Sequence, residues 1–236
     1  MTVFEYAEEI FSLGHELVNV VKQRPAGGGP VKLNVGIRDS VAKLVVREIL
    51  KPAFEMDQQI HVICREGSDT KLLADLAAYR LDIVLSDRPA SEVFHVKTFD
   101  HKLGDCGLSF FAGPKLAAEL RENFPESLHG APAMLPTRNT AMRRNVERWF
   151  DSIGVLPQVV AEFEDTALLM VFAADELGFF AVPSVIEEEI GRIYGAEVIG
   201  HSDDCREQFF AISPERKLKH PAVVAITEAA RSKLSG

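Results

Sequence analysis

Short apolar runs alternate with stretches of helical periodicity from residue 31 onward. The first run covers residues 31–37, and it is followed by a polar turn at residues 38–40 and by apolar positions at helical spacing over residues 41–54. A second strand and helix are predicted at residues 59–65 and 70–79, and a third strand at residues 81–85. Strands that alternate with helices of this length predict a parallel sheet with right-handed crossover connections.

The same pattern restarts after residue 104. Predicted strands at residues 107–113, 133–136, 157–163 and 178–182 alternate with helices, and a strand at residues 207–212 and a helix at residues 222–234 close the chain. Two halves joined by extended segments near residues 104 and 207 are the simplest topology. The sequence therefore predicts an α/β fold of two Rossmann-like subdomains with a cleft between them. Subdomain I comprises residues 31–104 and 207–236, and subdomain II comprises residues 105–206.

An amphipathic segment at residues 1–24 precedes this body and is predicted to be a linker helix. Its apolar stripe follows heptad spacing and includes Phe4, Ala7, Phe11, Val18 and Val21. Periodicity alone fits a helix packed on its own domain equally well. However, residues 25–30 form a flexible glycine-rich linker, so the helix is free to pair with a second copy. We expect a homodimer or homotetramer.

Composition limits the classes of function. The chain has 26 basic and 35 acidic side chains and a net charge of -9, so it lacks the basic character of a nucleic-acid-binding domain. Its three cysteines form no metal or redox motif, and we expect reduced, mostly buried thiols. The apolar stretch at residues 10–21 is too short and too polar to span a bilayer, so we expect a cytoplasmic protein without membrane contact.

No motif of a catalytic nucleophile, a phosphate loop or a zinc helix is present, so the sequence predicts no enzyme. Histidines lack ligand spacing and are expected to be structural. The arginines of the helix at residues 141–152, which are Arg143, Arg144 and Arg148, are expected to form a solvated face.

Polar residues stand where the predicted strands end and helices begin. Ligands of open α/β sheets bind at this edge, and the candidate effector-binding residues are Asp39, Ser40, Ser68, Ser86, Asp87, Thr137, Arg138, Asp165 and Thr166. Several of these residues are equally expected as helix N-caps. An anionic effector would use the helix N-termini with Arg38 and Arg138, whereas sodium would use oxygen ligands that include Asp39 and Asp87. Residue types alone leave both alternatives open.

Several segments together resemble the effector-binding domain of LysR-type transcriptional regulators. They are Val35-Gly36-Ile37 with Asp39-Ser40, Arg65-Glu66-Gly67-Ser68, Leu81-Asp82-Ile83-Val84-Leu85-Ser86, Leu135-Pro136-Thr137-Arg138 and the run from Gly178 to Pro183. The resemblance implies a periplasmic-binding-protein type II-like fold, dimerisation through the leader helix, and a small effector or ion between the subdomains.

Further segments resemble the branch of that family that activates a sodium/proton antiporter gene, which favours sodium or lithium as effector and predicts no other cofactor. They include Cys106-Gly107-x-Ser109-Phe110 and Glu162-Phe163-x-Asp165. The family's N-terminal winged helix-turn-helix has no counterpart in this sequence, so promoter DNA is expected to be bound by a segment outside it. The alternative from another class is a periplasmic solute-binding protein, which would be a monomer without the leader helix.

Overall fold

The computed structural model describes residues 30–90, 98–216 and 218–234, together with Gly14. The predicted leader helix with its dimerisation residues, and the linker up to residue 29, lie outside the described residues. They stay predictions.

The described residues form strands and helices in alternation, as the sequence pattern predicts. In chain order they are β1 (Val31–Arg38), α1 (Lys43–Phe54), β2 (Ile60–Gly67), α2 (Asp69–Ala77), β3 (Ile83–Ser86), β4 (Phe99–Ala112), α3 (Pro114–Arg121), β5 (Pro132–Pro136), α4 (Ala141–Ile153), β6 (Gln158–Phe163), α5 (Thr166–Val171), β7 (Phe180–Pro183), α6 (Glu187–Tyr194), β8 (Glu197–Ser213) and α7 (Pro221–Leu234). Short 3₁₀ turns stand at Glu126–Leu128 and Ser184–Ile186. None of these helices combines the length and the apolar character needed to cross a lipid bilayer.

The main sheet has the strand order β2-β1-β3-β8-β4-β7, and β5 pairs with β6 in a second sheet. Strands β1, β2 and β3 are parallel to one another, as are β5 and β6, whereas β8 runs antiparallel to β3 and β4. A single bridge between Ala133 and Phe179 joins the second sheet to the segment before β7. The α/β prediction is therefore confirmed, with antiparallel strands at its centre.

Strands β4 and β8 run through both predicted subdomains, which we call the first lobe (residues 31–104 and 207–236) and the second lobe (residues 105–206). Their pairing shifts register between Cys106 and Leu108, at the passage from one lobe to the other. Gly107 lies at this shift, where a Cβ atom would stand 2.7 Å from the carbonyl oxygen of Ser202. The sequence predicted strands only at residues 107–113 and 207–212, but the real strands have 14 and 17 residues.

The largest apolar core is shared by both lobes. It contains Val45 and Ile49 of α1 together with Phe180, Val182 and Ile186 of the second lobe. Apolar side chains therefore connect the lobes beside α1, and the polar groups described below lie at the carboxyl ends of β1 and β3.

One expectation about α4 is wrong. Arg143 does not belong to a solvated face, because only 2% of the residue is exposed. Its NH1 group donates to the carbonyl oxygen of Pro136 (2.8 Å) and to Glu162 (2.5 Å), and its Nε group donates to Glu147 (2.8 Å). Arg143 stands three and seven residues before the buried Val146 and Phe150, which places it on the inner side of the helix. The two other arginines of this set, Arg144 and Arg148, are exposed.

Candidate functional site

The site is centred on a buried guanidinium at the end of β1. Strands β1 and β3 are parallel neighbours with Ile37 opposite Leu85, so Arg38 lies beside Ser86. Arg38 is 8% exposed, and its NH1 group lies 3.2 Å from Ser86 Oγ and 3.0 Å from Asp87 Oδ1. Its Nε group forms an ion pair with Asp69. Burial lowers the pKa of Arg38, and the two carboxylates oppose this effect. The guanidinium is therefore already neutralised by its own chain.

A second arginine extends this arrangement. Arg88 forms an ion pair with the other oxygen of Asp69 at 2.8 Å. Its backbone is held by Ser86, whose hydroxyl accepts from the N–H group of Arg88 at 3.2 Å and donates to its carbonyl oxygen at 2.5 Å. The charges thus alternate in the order Asp87, Arg38, Asp69, Arg88, which leaves neither guanidinium without a carboxylate.

Asp87 also reaches the second lobe. Its Oδ2 atom accepts a hydrogen bond of 3.4 Å from the backbone N–H group of Ala141, the first residue of α4. A carboxylate is favourable at a helix N-terminus because the unpaired N–H groups there carry partial positive charge. One side chain of the first lobe therefore contacts both Arg38 and the helix that begins in the opposite lobe.

Glu207 of β8 lies close to this contact. It is 2% exposed, and its Oε2 atom has no hydrogen-bond partner among the described residues. Burial raises the pKa of Glu207 well above its usual value, and the negative charge of Asp87 adds to the effect. Burial and the neighbouring carboxylate of Asp87 therefore both disfavour a negative charge on Glu207.

A cavity of about 270 Å³ opens between the lobes, and we call it the interlobe cavity. It is lined by Arg38, Asp39, Ser40, Gly67, Ser68, Asp69, Thr70, Arg88, Asn139, Thr140 and Glu164. Three carboxylates face two guanidiniums in this lining, and both guanidiniums are already in ion pairs. The Oγ atom of Ser40 is buried and has no hydrogen-bond partner in the part of the chain that the structure describes. The cavity therefore offers oxygen atoms, and its positive groups are engaged.

The predicted effector-binding residues fall into three groups. Those that line the interlobe cavity are Asp39, Ser40 and Ser68. Ser86 and Asp87 are buried behind Arg38 and contact it. Thr137, Arg138, Asp165 and Thr166 belong to the second lobe and fall outside the lining, although neighbouring residues contribute to it.

Those four residues differ in their surroundings. The hydroxyl group of Thr137 donates to Asn139 at 2.7 Å, and the side chain of Arg138 is 80% exposed. Thr166 is buried, and its hydroxyl oxygen has no hydrogen-bond partner among the described residues. A role for any of the nine residues in binding an effector stays a prediction.

The alternative role as helix caps applies to only some of them. Asp165 caps α5, because its carboxylate accepts from the N–H group of Ala167 at 2.8 Å. Asp39 and Ser40 do not cap α1, since the turn continues to Ala42, which occupies the N-cap position without a side-chain bond. Ser68 occupies the N-cap position of α2, but its hydroxyl makes no capping bond. Asp39 and Ser40 are therefore left facing the cavity.

Sequence reasoning missed seven lining residues as site residues, namely Gly67, Asp69, Thr70, Arg88, Asn139, Thr140 and Glu164. Each stands within two residues of a predicted one, at or shortly after the end of a strand, so a prediction extended by two residues on either side of each candidate would have included them. Glu207 carried no such signal, because a glutamate in a strand usually faces solvent.

Two further observations on the described residues concern metal binding and catalysis. No group of three or more His, Cys, Asp or Glu side chains in residues 30–90, 98–216 and 218–234 has a metal-binding arrangement. Ser109, Glu187 and His201 lie together, but the hydroxyl and the carboxylate both contact the same ring atom, His201 Nδ1, at 3.2 and 3.1 Å. A histidine base needs separate nitrogens for its nucleophile and its orienting carboxylate, so this cluster does not form a relay.

Comparison with known proteins identifies relatives of this chain. The LysR substrate binding domain family matches residues 26–235. The chain is 29% identical over 224 residues to the transcriptional activator protein NhaR of Escherichia coli K12, and the match covers 95% of this chain and 73% of that protein.

Solved structures show the same fold at low sequence identity. The reduced regulatory domain of OxyR2 from Vibrio vulnificus superposes with a TM-score of 0.67 at 13% identity, and the match covers 87% of this chain and 96% of that one. The regulatory domain of CcmR from Synechocystis, in complex with 2-PG, gives a TM-score of 0.58 at 12% identity and covers 86% and 97%. The predicted fold of two subdomains of the periplasmic-binding-protein type II kind is confirmed.

Proposed function

The chain belongs to the LysR substrate binding domain family, and we propose that it senses a small effector in the interlobe cavity for a bacterial LysR-type transcriptional activator. The observation that carries this proposal is the placement of Asp87, whose carboxylate contacts Arg38 in one lobe and the first N–H group of α4 in the other. An effector that alters the surroundings of Arg38 also alters a contact between the lobes.

The chemistry of the cavity favours a cation or a neutral polar effector over an anion. An anion would meet three carboxylates in the lining against two guanidiniums, and each of these guanidiniums already forms an ion pair. A small hard cation such as sodium or lithium prefers carboxylate, hydroxyl and carbonyl oxygens. Asp39 and the unpartnered hydroxyl of Ser40 supply such oxygens, and Asp87 supplies another if Arg38 moves aside. We propose sodium or lithium as the effector.

Binding acts on the arrangement of the lobes as a population shift. A ligand changes an equilibrium between two arrangements only by the difference in its affinity for them, which is typically about 1 to 3 kcal/mol in allosteric proteins. A cation bound by Asp39 and Ser40 of the first lobe and by the carboxylate of Glu164 of the second lobe would favour the arrangement in which the two lobes are close together.

Thermal unfolding in different chloride salts tests this proposal. At constant ionic strength, replacing potassium by sodium or lithium should raise the unfolding midpoint in a saturable way, because a ligand that binds only the folded state stabilises it. At ten times the dissociation constant the gain is about 1.4 kcal/mol, or roughly 3 to 5 °C for a chain of this size. The Asp39→Asn variant should lose the effect.

The matched control is Glu119→Gln, which removes an exposed carboxylate on α3 and should keep the response. Asp87→Asn is a second variant, expected to weaken the response and to lower stability, because it removes a carboxylate from the buried Arg38. Equal midpoints in sodium, lithium and potassium, or an unchanged sodium response in Asp39→Asn, would exclude this cation site.

Two partners follow from membership of a regulator family. The first is a second copy of the chain, which we expect to pair through the leader stripe that includes Phe4 and Phe11. The second is promoter DNA. Because the net charge of this chain is -9, we expect another segment of the full regulator to contact the DNA, and we expect the regulator to act in the cytoplasm. Light scattering should give a dimer or tetramer for this chain and a smaller species for a version starting at Val31. A monomer in both cases would contradict the leader's role.

A further inference from the structure

A second cavity, of about 530 Å³, lies beside α4, and we call it the α4 groove. It is lined by Asp87, Arg88, Pro89, Ala141, Asn145, Arg148, Trp149, Ser152, Asp204, Cys205, Arg206 and Gln208. Only Arg88 also lines the interlobe cavity. Both lobes contribute to the groove, since residues 87–89 follow β3 and the rest of the lining belongs to α4 and β8.

The charged groups of the α4 groove are unequally engaged. Asp87 faces Arg38, Arg88 holds Asp69, and Arg206 holds Asp105 through its Nε group at 2.5 Å. Arg148 has no ion pair within the described residues, and it is exposed on α4. The remaining nitrogens of Arg88 also have no hydrogen-bond partner there. The one carboxylate of the lining that lacks an ion pair in the described residues is Asp204, which is exposed. Guanidinium donors therefore outnumber available carboxylates.

One wall of the groove is aromatic and rigid. Trp149 is 7% exposed, and its ring packs against Phe110 with centroids 4.9 Å apart and against Phe124 at 6.1 Å. Beside it, burial raises the pKa of the Cys205 thiol to about 12, so this side chain stays neutral. The part of Trp149 that lines the groove and the neutral Cys205 thiol thus form apolar surface next to guanidinium groups, which is the pairing that an organic anion with an apolar ring requires.

We propose that the α4 groove is a second ligand site, distinct from the interlobe cavity, that binds a small organic anion with one carboxylate and a flat apolar body. The carboxylate faces Arg148 and Arg88, and the apolar body lies on Trp149. Because residues of both lobes line the groove, an occupant contacts both and favours the arrangement in which they are close.

Trp149 gives a direct reporter, because it is the only tryptophan of the chain. Phenylacetate is a suitable probe, since it has a carboxylate and an aromatic ring and does not absorb where tryptophan alone is excited. Titration of the whole chain with sodium phenylacetate at constant sodium concentration should change the fluorescence of Trp149 in a saturable way. Phenylacetamide, which lacks the charge, and acetate, which lacks the ring, should bind at least about tenfold more weakly.

Variants locate the binding in the groove. Arg148→Gln should weaken phenylacetate binding about tenfold, because it removes a charge-assisted hydrogen bond. Arg192→Gln, at an exposed position of α6, should leave the affinity unchanged. A linear fluorescence response, equal binding of the acid and the amide, or unaltered affinity in Arg148→Gln would overturn the proposal. The constant sodium concentration keeps this result independent of the cation site, since Asp39→Asn should still bind phenylacetate.

Discussion

At the scale of single residues, Arg143 shows how a buried charge stabilises this fold. Its guanidinium bonds to the carbonyl oxygen of Pro136 and to Glu147 and Glu162, and it thereby fastens α4 to the ends of β5 and β6. We predict that Arg143→Leu lowers the free energy of unfolding by about 2 to 3 kcal/mol, because the buried carbonyl loses its donor. The two glutamates are about 40% exposed and can regain water. Urea denaturation measures the loss.

The neighbouring Arg144 provides the control, since it is exposed and its one hydrogen bond within the described residues is a long one, of 3.4 Å, to the carbonyl oxygen of Asn139. Arg144→Leu should change stability by no more than about 0.5 kcal/mol. Equal losses in the two variants would mean that the buried contacts of Arg143 contribute nothing measurable.

The sequence indicated which residue types stand at the site but not how they pair. Polar residues after β1 and β3 were expected at one edge because parallel strands end together. Arg38 is neutralised by Asp69 and Asp87 because of the directions in which these three side chains point. The spacing of apolar residues in the sequence does not indicate those directions. Asp39 and Ser40 do not cap α1 as expected, because the turn continues for two residues beyond Ser40 before the helix begins.

At the scale of elements, α3 takes its N-terminal cap from a residue sixty positions later. The carboxylate of Glu176 accepts from the N–H groups of Lys115 (3.0 Å) and Leu116 (2.9 Å). These bonds hold the pKa of Glu176 below its usual value. A carboxyl whose pKa is lowered by folding stabilises the protein above its unfolded-state pKa, and this contribution is lost as the pH falls through the folded-state pKa.

Glu176→Gln should therefore lower the unfolding midpoint at neutral pH, and the difference from the parent chain should shrink as the solution is acidified below about pH 4. Differential scanning calorimetry across this range gives the comparison. Glu119→Gln on the exposed face of α3 should show no comparable pH-dependent difference. A difference for Glu176→Gln that stays constant at all pH values would show that charge plays no part in the cap.

Helices and short buried strands were predictable because their apolar spacing is regular. The two long strands were not, since β8 contains the polar run His201-Ser202-Asp203-Asp204, which is typical of a loop. Register shifts at three points let β4 and β8 stay paired while they pass from one lobe to the other. Such irregularities depend on the partner strand, and neither strand's own sequence indicates them.

At the scale of the whole molecule, the two lobes are connected on one side and open on the other. The core that includes Ile49 and Phe180 is continuous between them, and Arg47 of α1 lies 3.7 Å from Glu189 of α6. The polar cavities lie at the strand ends near Asp87. Because the lobes already share apolar contacts, we expect the proposed effector to cause no more than a modest rotation of the lobes about β4 and β8.

A shared core also predicts that the lobes unfold together. If one lobe unfolded alone, the side chains that pack across the boundary, such as Ile49 and Phe180, would lose their partners and expose apolar surface in both lobes. We therefore expect a single cooperative unfolding transition. Trp149 reports on the second lobe, and a fluorescent label on the exposed Cys64 of β2 reports on the first, because Cys106 and Cys205 are buried. Both probes should give one urea midpoint, and Ile49→Val should lower both equally, by about 1 kcal/mol. Separate midpoints, or a shift of the Cys64 probe alone, would show that the lobes are independent.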